Sequence, residues 1–456
     1  MKKYSCIIIG CGPAGIFAAL ELTKNKPDIK IAMFEKGKII GKRQCPKSKT
    51  HACVSCHPCN ISCGWGGAGA FSDGKLSLSK DVGGWLEDYI GSTKTNELIK
   101  YVDDIYLKYG ANTQVAYNSK YADEFDYKCS KYGMKLIKCP VRHLGTEKSS
   151  EIMQKMYEDL SKKDNVDIFS NTTVDKINLE KKEITIKDTT YTADNIVLAV
   201  GRSGAEWLTK QCLNNNIIPV NNQVDIGLRV ELPRSIMDEI TNELYEIKIY
   251  NTSKTSENIV RTFCMNPGGF VSQENYDDDL AVVNGHSYQN IKTNNTNFAL
   301  LVSAQFTSPF NEPIEYGIYI AKLCNMLTGG KIMVQRLKDL KHGKRSTYNS
   351  LKKLCYEPTL KDAVPGDLSF ALPSRILNAI LETFDNLENV IPGIGGDNTI
   401  LYGAEVKFYS SKIPVDKNMQ TSFSGVYAIG DGAGITRGLM QASASGIVAA
   451  KSILKL

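Results

Sequence analysis

The stretch that most constrains this chain is KKYSCIIIGCGPAGIFAALELTK, residues 2–24. A short apolar run from Tyr4 to Ile9 meets Gly10, Gly12 and Gly15, and an amphipathic helix follows to about Lys24. A second apolar run, Ile29 to Phe34, ends at Glu35 and Lys36, the acid standing twenty residues past Gly15. Strand, glycine turn, helix, strand and acid in that order form a βαβ unit shaped for a dinucleotide. Gly10 makes the turn, Gly12 lets backbone amides approach a pyrophosphate, and Gly15 lets helix and strand pack closely. Pro13 and Ala14 begin the helix, whose N-terminus carries partial positive charge toward that anion. Glu35 can accept from ribose hydroxyls, which disfavours a 2′-phosphate there. The bland reading is a merely tight strand–helix turn; a lone GxGxxG would not exclude it, but the complete setting argues against it.

At 456 residues the chain has room for two or three domains. Its 42% hydrophobic and 23% charged content allows an ordinary globular core. The net charge of +6 comes with no long basic run, so neither nucleic acid nor membrane is expected as a partner. Thirteen clustered cysteines in so long a chain fit a reducing compartment, and the expected location is cytoplasmic. One false signal sits at the start, where Ile8-Ile9-Gly10-Cys11 looks like a lipoprotein cleavage box. Cleavage before Cys11 would remove the first strand and Gly10, so the two readings exclude each other. No other apolar run approaches the ~20 residues that span a bilayer.

The far end of the chain separates NAD from FAD. GVYAIGD, residues 425–431, reads as a strand ending in Gly430-Asp431. GAGITRGLMQASASGIVAAKSIL follows, a long helix rich in small residues. Asp431 in that position would bind a ribityl chain. The amides of Gly432, Ala433 and Gly434 would face the flavin edge where negative charge collects on reduction. Between the two ends, Val166 to Ser170, a charged hairpin around Glu180 to Lys182, and NIVLAVG at Asn195 to Gly201 read as strand, meander and returning strand.

On GCGPAG, NIVLAVG and GVYAIGD the chain resembles the FAD domain of glutathione-reductase-type flavoproteins. It is more closely similar to a bacterial family of FAD-dependent dehydrogenases whose reactions are largely uncharacterised. That resemblance runs nearly its full length, through GWGGAGAFSDGKL, TNFALLVS, PGDLS, TILYGAEVKFY and AIGDGAGITRGLMQASASGI. It implies an α/β chain: a Rossmann-like FAD-binding domain, parallel sheet plus β-meander, with an inserted mixed α/β substrate domain. It also implies cofactor contacts at Gly66, Gly67, Ala68, Gly69 and Ser72 of the second glycine turn, at Gly201, and at Gln441 of the last helix. Asp73 and Lys75 are expected to bind cofactor rather than react.

The expected FAD-binding domain comprises 1–90, 140–205 and 390–456, with a cysteine-rich excursion at 41–64. Residues 91–139 read as a helical and irregular insertion, and 206–389 as the substrate domain, opening on the alternating strand QVDIGLRVEL. No second GxGxxG follows a strand: IPGIGG at 391–396 and AVGRSG at 199–204 lack the spacing. The redox CxxxxC of glutathione reductases is also missing beside the first helix, so disulfide reduction is not the reading. NAD(P)H remains a transient donor rather than a resident ligand.

Cys45, Cys53, Cys56, Cys59 and Cys63 fall within nineteen positions, and CxxCxxCxxxC matches a ferredoxin ligand run. The match lacks the proline after Cys63, and Cys45 would supply a missing ligand to a 4Fe–4S cluster. Zinc, with His51 or His57 joining the thiols, is the competing metal. A thiol relay stays open as a third reading, and an unliganded loop as a fourth. A flavin enzyme must also handle a proton, and His286, Tyr402, Glu405, Lys407 and Arg437 are the candidates. Each has a bland reading: Glu405 and Lys407 pair, Arg437 meets phosphate, His286 sits in a loop. The leading function is an FAD-dependent dehydrogenase or reductase acting on a small molecule, with an electron-donor protein such as ferredoxin as a possible partner. A flavin-dependent tRNA-modifying enzyme and a flavoprotein electron carrier or sensor are the competing functions.

Overall fold

The first apolar run forms the strand Lys2–Ile9, in which Ile7 and Ile8 are fully buried. It pairs in parallel with Ile31–Phe34 on one side and with Thr189–Leu198 on the other. Val166–Phe169 adds outside Ile31–Phe34, and Val426–Ala428 adds outside Thr189–Leu198, both in parallel. These strands are near-continuously apolar, as strands covered on both faces must be. Thr189–Leu198 serves two sets of partners. Its first residues pair antiparallel with Glu183–Ile186, which pairs in turn with Lys176–Asn178, making the meander.

In this computed structural model residues 2–46, 54, 56–275, 280–288 and 291–456 are described. The chain divides into two units: Met1–Gln114, Arg142–Asn222 and Tyr409–Leu456 form the first, Val115–Val141 and Gln223–Phe408 the second. Two helices from opposite chain ends, Pro13–Asn25 and Leu439–Leu454, form the centre of the first unit's core. Their contact is backbone on backbone. A Cβ on Gly446 would lie 2.1 Å from the Ala14 carbonyl oxygen and 3.0 Å from the Ala18 nitrogen. Small residues throughout ASASGIVAA keep that approach close along the helix. The helix Ser92–Lys108 packs on Leu439–Leu454, where the Tyr106 and Ser443 hydroxyls share a 3.4 Å hydrogen bond.

The second unit is built on a mixed sheet. Its strand order is Val364–Pro365, Met333–Arg336, Ile400–Lys407, Val224–Pro233, Asn295–Ala304, Ile259–Pro267, Ile249–Thr252, Met134–Leu136. Period-two alternation along Val224–Pro233 gives it two unlike faces. Val224, Ile226, Leu228, Val230 and Leu232 enter an apolar core with Ile380 and Phe384 of the helix Ser374–Glu388. Asp225, Arg229 and Glu231 point to the opposite face and are also buried. Fully burying each aliphatic side chain contributes roughly 1.5–3 kcal/mol. A buried ion pair, by contrast, roughly breaks even. The apolar face therefore holds this sheet together, and its charged face has another reason to exist.

Two expected boundaries move. TILYGAEVKFY falls among the expected FAD-binding segments, yet Ile400–Lys407 is a central strand of the second unit's sheet, paired with Val224–Pro233 and Met333–Arg336. The expected insertion 91–139 is divided: Ser92–Lys108 belongs to the first unit, whereas Met134–Leu136 is an edge strand of the second. In both cases the partner comes from far along the chain, so local pattern could not choose it.

The Gly446 contact yields a direct prediction. Gly446→Val forces a branched side chain against a helix backbone, costing about 3 kcal/mol or more, and should lower the unfolding midpoint of the first unit in thermal or urea melts. An unchanged melt would contradict the close approach.

Candidate functional site

The carboxyl ends of the parallel strands converge on glycine turns, the position where open α/β sheets bind ligands. Gly10 has φ +100°, and a Cβ there would stand 2.3 Å from the Ala199 carbonyl oxygen. Gly15 is equally closed, since a Cβ would meet the Gly10 carbonyl oxygen at 2.1 Å. Gly12 differs. Its Cβ position has only the Gly67 Cα nearby, at 4.0 Å, and Gly201 has nothing within 4 Å. Gly10 and Gly15 are thus required by the fold, while Gly12 and Gly201 border open space. The helix Pro13–Asn25 starts at Gly12 with no side chain capping it. Across the turn, a Cβ on Gly432 would meet Gly201 at 2.5 Å, and one on Gly430 would meet the Ala14 Cβ at 3.0 Å. Three segments around 10–15, 199–204 and 430–434 therefore share one crevice.

Glu35 joins this crevice to the second glycine turn. Its Oε2 accepts from the Cys11 amide at 2.9 Å, and its Oε1 accepts from the Gly37 and Gly64 amides at 2.8 and 2.9 Å. A carboxylate oxygen has two acceptor sites, so Oε2 keeps one for a hydroxyl donor. The Gly66 amide donates to the Cys11 carbonyl at 2.7 Å, and Trp65 is buried with its indole N–H on the Met153 carbonyl. Gly69 packs against Leu439 and Pro13, whereas Ala68 is exposed. Ser72 bonds the Gly69 carbonyl and the Gly74 amide, and Asp73 pairs with Lys75 at 3.3 Å. Lys36 donates to the Ser203 carbonyl at 2.8 Å.

Asp431 accepts from the Thr436 hydroxyl at 2.6 Å, and Arg202 stands 3.9 Å away. Gly434 lies against the carbonyls of Ser410 and Ser411, and the Ala433 carbonyl accepts from the Ile413 amide. Gln441 does not face the crevice with its polar end. Its Nε2 donates to the Lys80 and Val82 carbonyls and its Oε1 accepts from the Leu86 amide, so the side chain fastens the loop 80–86 to the last helix. Trp85, on that loop, carries the Arg437 guanidinium at 4.1 Å and the Lys412 ammonium at 4.6 Å from its ring centre. The Tyr409 ring centre lies 4.9 Å from the same guanidinium.

The cysteine excursion is held by one arginine that belongs to no motif in the sequence. Arg43 donates to the carbonyls of Asn60, Ile61 and Trp65 and lies 4.7 Å over the Phe71 ring. Burial draws its guanidinium down to about 10, against the pull of Glu35. Cys63 is buried with its Sγ 3.4 Å from the Ser203 hydroxyl, Cys59 is exposed, and Cys45 and Cys56 are intermediate. Cys53 and His51 lie outside the described residues. Among the described residues no three His, Cys, Asp or Glu side chains are grouped to hold a metal ion. Burial pushes the Cys11 thiol, in the first glycine turn, well above its ordinary value. A thiol so raised is a poor nucleophile, which removes it from any relay.

Three of the proton-handling candidates lie in the second unit's sheet, not among the first unit's glycine turns. Glu405 forms a two-point pair with Arg229 at 2.6 and 2.7 Å, both side chains fully buried, and Lys407 adds a contact at 3.1 Å. Their bland reading as a pair describes this geometry. Burial would lower Arg229, but the Glu405 carboxylate overcomes it and holds the guanidinium above its ordinary value. Tyr402 donates to Glu231 at 2.5 Å, and burial followed by that carboxylate raises its phenol far above the usual range. His286 ends the strand Ala281–His286 on an exposed position. Gly285 of that strand presses on the sheet's charged face, where a Cβ would come within 2.3 Å of Asn297 Oδ1 and 2.8 Å of Arg229 Nη1. Arg437 alone of the five stands in the first unit.

Glu231 accepts from Asn295 at 2.9 Å and from the Thr359 hydroxyl at 2.6 Å as well as from Tyr402. Asn295 and Thr359 also line a cavity of about 790 Å³, with Arg234, Phe270 and Tyr356 on its walls.

Residues 223–408 match the family described as FAD-dependent protein, C-terminal domain-like. That range is the main segment of the second unit. A protein of Clostridium beijerinckii, described as uncharacterized, is 27% identical over 482 residues, covering 98% of this chain and 80% of its own length. Solved structures similar to this chain include glycine oxidase from Geobacillus kaustophilus, at TM-score 0.42 and 9% identity over 100% of this chain and 95% of that one. L-proline dehydrogenase from P. horikoshii follows at 0.40 and 11%, covering 100% of this chain and 94% of that one. Scores of this size decide no question of chemistry, which rests on the geometry above.

Glu231 gives the second unit a pH signature. Burial raises its carboxyl above the ordinary 4.5 despite the donors from Thr359, Tyr402 and Asn295. The fold thus favours the protonated form: its stabilising contribution is complete below the ordinary value and is lost as pH rises through the folded one. The unfolding free energy of the unaltered chain should therefore fall relative to Glu231→Gln as pH rises from 4.5 towards neutrality. A difference that stays flat over that range would contradict this account.

Proposed function

We propose that this chain is an FAD-dependent oxidoreductase acting on a small-molecule substrate, with the first unit as its cofactor-holding part. The observation that carries the reading is the contrast among the glycines of the crevice. Gly10 and Gly15 are closed in by backbone, while Gly12 and Gly201 border open space at the carboxyl ends of parallel strands. That is the cradle a pyrophosphate needs, with the start of the helix Pro13–Asn25 beside it. The match of residues 223–408 to a C-terminal domain of FAD-dependent proteins supports the same cofactor from an independent part of the chain.

Bound FAD would supply hydride or single-electron transfer, chemistry no side chain offers. The chain's own residues do the rest. Glu35, with its remaining acceptor site on Oε2, would hold an adenosine ribose hydroxyl. Asp431, oriented by Thr436, would hold the ribityl chain. The backbone amides of Gly432 and Ala433 would meet the ring's electron-rich edge, where preorganised amides act most strongly on developing charge, while the Gly434 amide closes the turn on the Asp431 carbonyl. Pyridine nucleotide docking from solution, or a small electron-donor protein such as a ferredoxin, would supply or remove electrons.

Two outcomes test this. Glu35→Gln removes a charge that accepts three amide bonds, each worth roughly 1.5–3 kcal/mol, and should weaken FAD binding at least about tenfold in a flavin-fluorescence titration. Unaltered affinity would remove Glu35 from the site. Anaerobic reduction of the FAD-loaded chain by NADH, NADPH or reduced ferredoxin should bleach the flavin with at least one donor. A bound flavin inert to all three and to chemical reductants would contradict an oxidoreductase.

A further inference from the structure

The cavity of about 790 Å³ lies wholly within the second unit, and its walls are fixed from behind by Glu231. Glu231 Oε1 accepts from Asn295 Nδ2 at 2.9 Å and from the Thr359 hydroxyl at 2.6 Å. The Glu231 carbonyl accepts from the Tyr356 hydroxyl at 2.9 Å. Three wall residues thus hang on one buried glutamate. Asn295 is itself buried at 3% exposure, and its Nδ2 is spent on Glu231 and on the Glu357 carbonyl. Its Oδ1 takes no donor among the described residues.

Two ion pairs stand on the same walls. Lys361 and Glu357 meet at 3.2 Å with side chains 79% and 85% exposed, so solvent screens them. Arg234 and Asp238 meet at 2.7 Å and are each 37% exposed, a more sheltered pair. Arg234 uses Nε and Asp238 uses Oδ1, which leaves both Nη groups and Oδ2 unengaged among the described residues. A lone anion drawn to Arg234 is repelled by the Asp238 carboxylate beside it, and a lone cation drawn to Asp238 is repelled by Arg234. A ligand that carries both charges on one carbon satisfies both groups at once and leaves neither unmatched. The cavity also falls within the ~300–1,000 Å³ usual for small-molecule sites, and Phe270 and Tyr356 give it aromatic walls.

We propose that this cavity binds a small zwitterion, an α-amino acid with an apolar side chain. Its carboxylate meets the Nη groups of Arg234, its ammonium meets Asp238 Oδ2 and Asn295 Oδ1, and its side chain lies against Phe270 and Tyr356. Glu231 is a positioning residue, acting through Asn295, Thr359 and Tyr356. The site is independent of the FAD reading, since every residue in it belongs to the second unit.

L-Phenylalanine is the probe. Phenethylamine, which lacks the carboxylate, and 3-phenylpropanoate, which lacks the ammonium, are its single-charge counterparts. Isothermal titration calorimetry of the full chain, with and without added FAD, is the readout. Phenylalanine should bind saturably, and each counterpart at least about tenfold more weakly for the charge-assisted contact it cannot make. Arg234→Gln should reverse one preference, so that phenethylamine binds better than phenylalanine, whose carboxylate then faces only Asp238. Asp238→Asn should reverse the other, in favour of 3-phenylpropanoate. Equal binding of the three probes by the unaltered chain, or no saturable binding, would overturn the proposal. So would a uniform weakening of all three in both variants, the sign of a merely structural pair. Phenylalanine binding that requires FAD would place the ligand elsewhere and also overturn it. Binding by a chain that takes up no FAD supports the cavity site and ends the cofactor reading alone.

Discussion

The helices Pro13–Asn25 and Leu439–Leu454 meet where Gly446 lets one backbone rest on the carbonyl of Ala14. Ala14 is also the residue against which Gly430 packs, so the same contact that joins the chain's ends sets the spacing of the crevice. Any side chain at Gly446 would push the helix of the first turn away from the helix of the last. The glycine turns would then no longer face one another. Close packing of this kind is rigid, because interiors as dense as organic crystals have no slack to absorb even a methyl group. The crevice inherits that rigidity, which is what a site that must hold a cofactor in one pose requires.

The second unit solves a different problem. One face of its sheet is aliphatic and holds the fold; the other buries Asp225, Arg229, Glu231, Glu405 and Lys407. Removing several charges from water is costly, and pairing them at best recovers that cost. Here every carboxylate has donors: Glu405 from Arg229, Glu231 from Tyr402, Thr359 and Asn295, and Asp225 from Arg261 and Ser303. Such a network fixes side-chain positions more tightly than an apolar surface would. Burial and the Glu231 carboxylate hold the Tyr402 phenol protonated, and Glu405 is engaged by Arg229 and Lys407.

What the sequence disclosed follows from how local each signal is. The first glycine turn was legible because strand, turn, helix and acid lie within a single stretch, although the group that closes in Gly10 is the distant Ala199 carbonyl. The meander was legible from the charged turn around Glu180 to Lys182 between apolar runs. The limits of the two units were not, because nothing within Ile400–Lys407 says which sheet it joins and only its distant partners Val224–Pro233 and Met333–Arg336 assign it. Gln441 was expected at the cofactor for a related reason: a polar residue in the first turn of the last helix is equally suited to fastening the loop 80–86, which is what its side chain does. Arg43 carried no signal among neighbouring lysines, and its role emerges only from three carbonyls up to 22 residues away. The Trp85 cluster draws on segments more than three hundred residues apart in sequence. No local pattern encodes it.

The claim on which the rest stands is that the first unit reads both halves of a flavin dinucleotide, the adenosine half at Gly12 and Glu35 and the flavin half at Asp431 and Gly432. The most direct measurement is the thermal unfolding midpoint of the flavin-free chain titrated with FAD, FMN and NAD. A ligand that binds only the folded state raises the midpoint in proportion to its affinity. FAD should raise it strongly, whereas FMN, lacking the adenosine half, and NAD, lacking the ring, should have little effect. A midpoint indifferent to FAD, or one raised equally by NAD, would contradict the account.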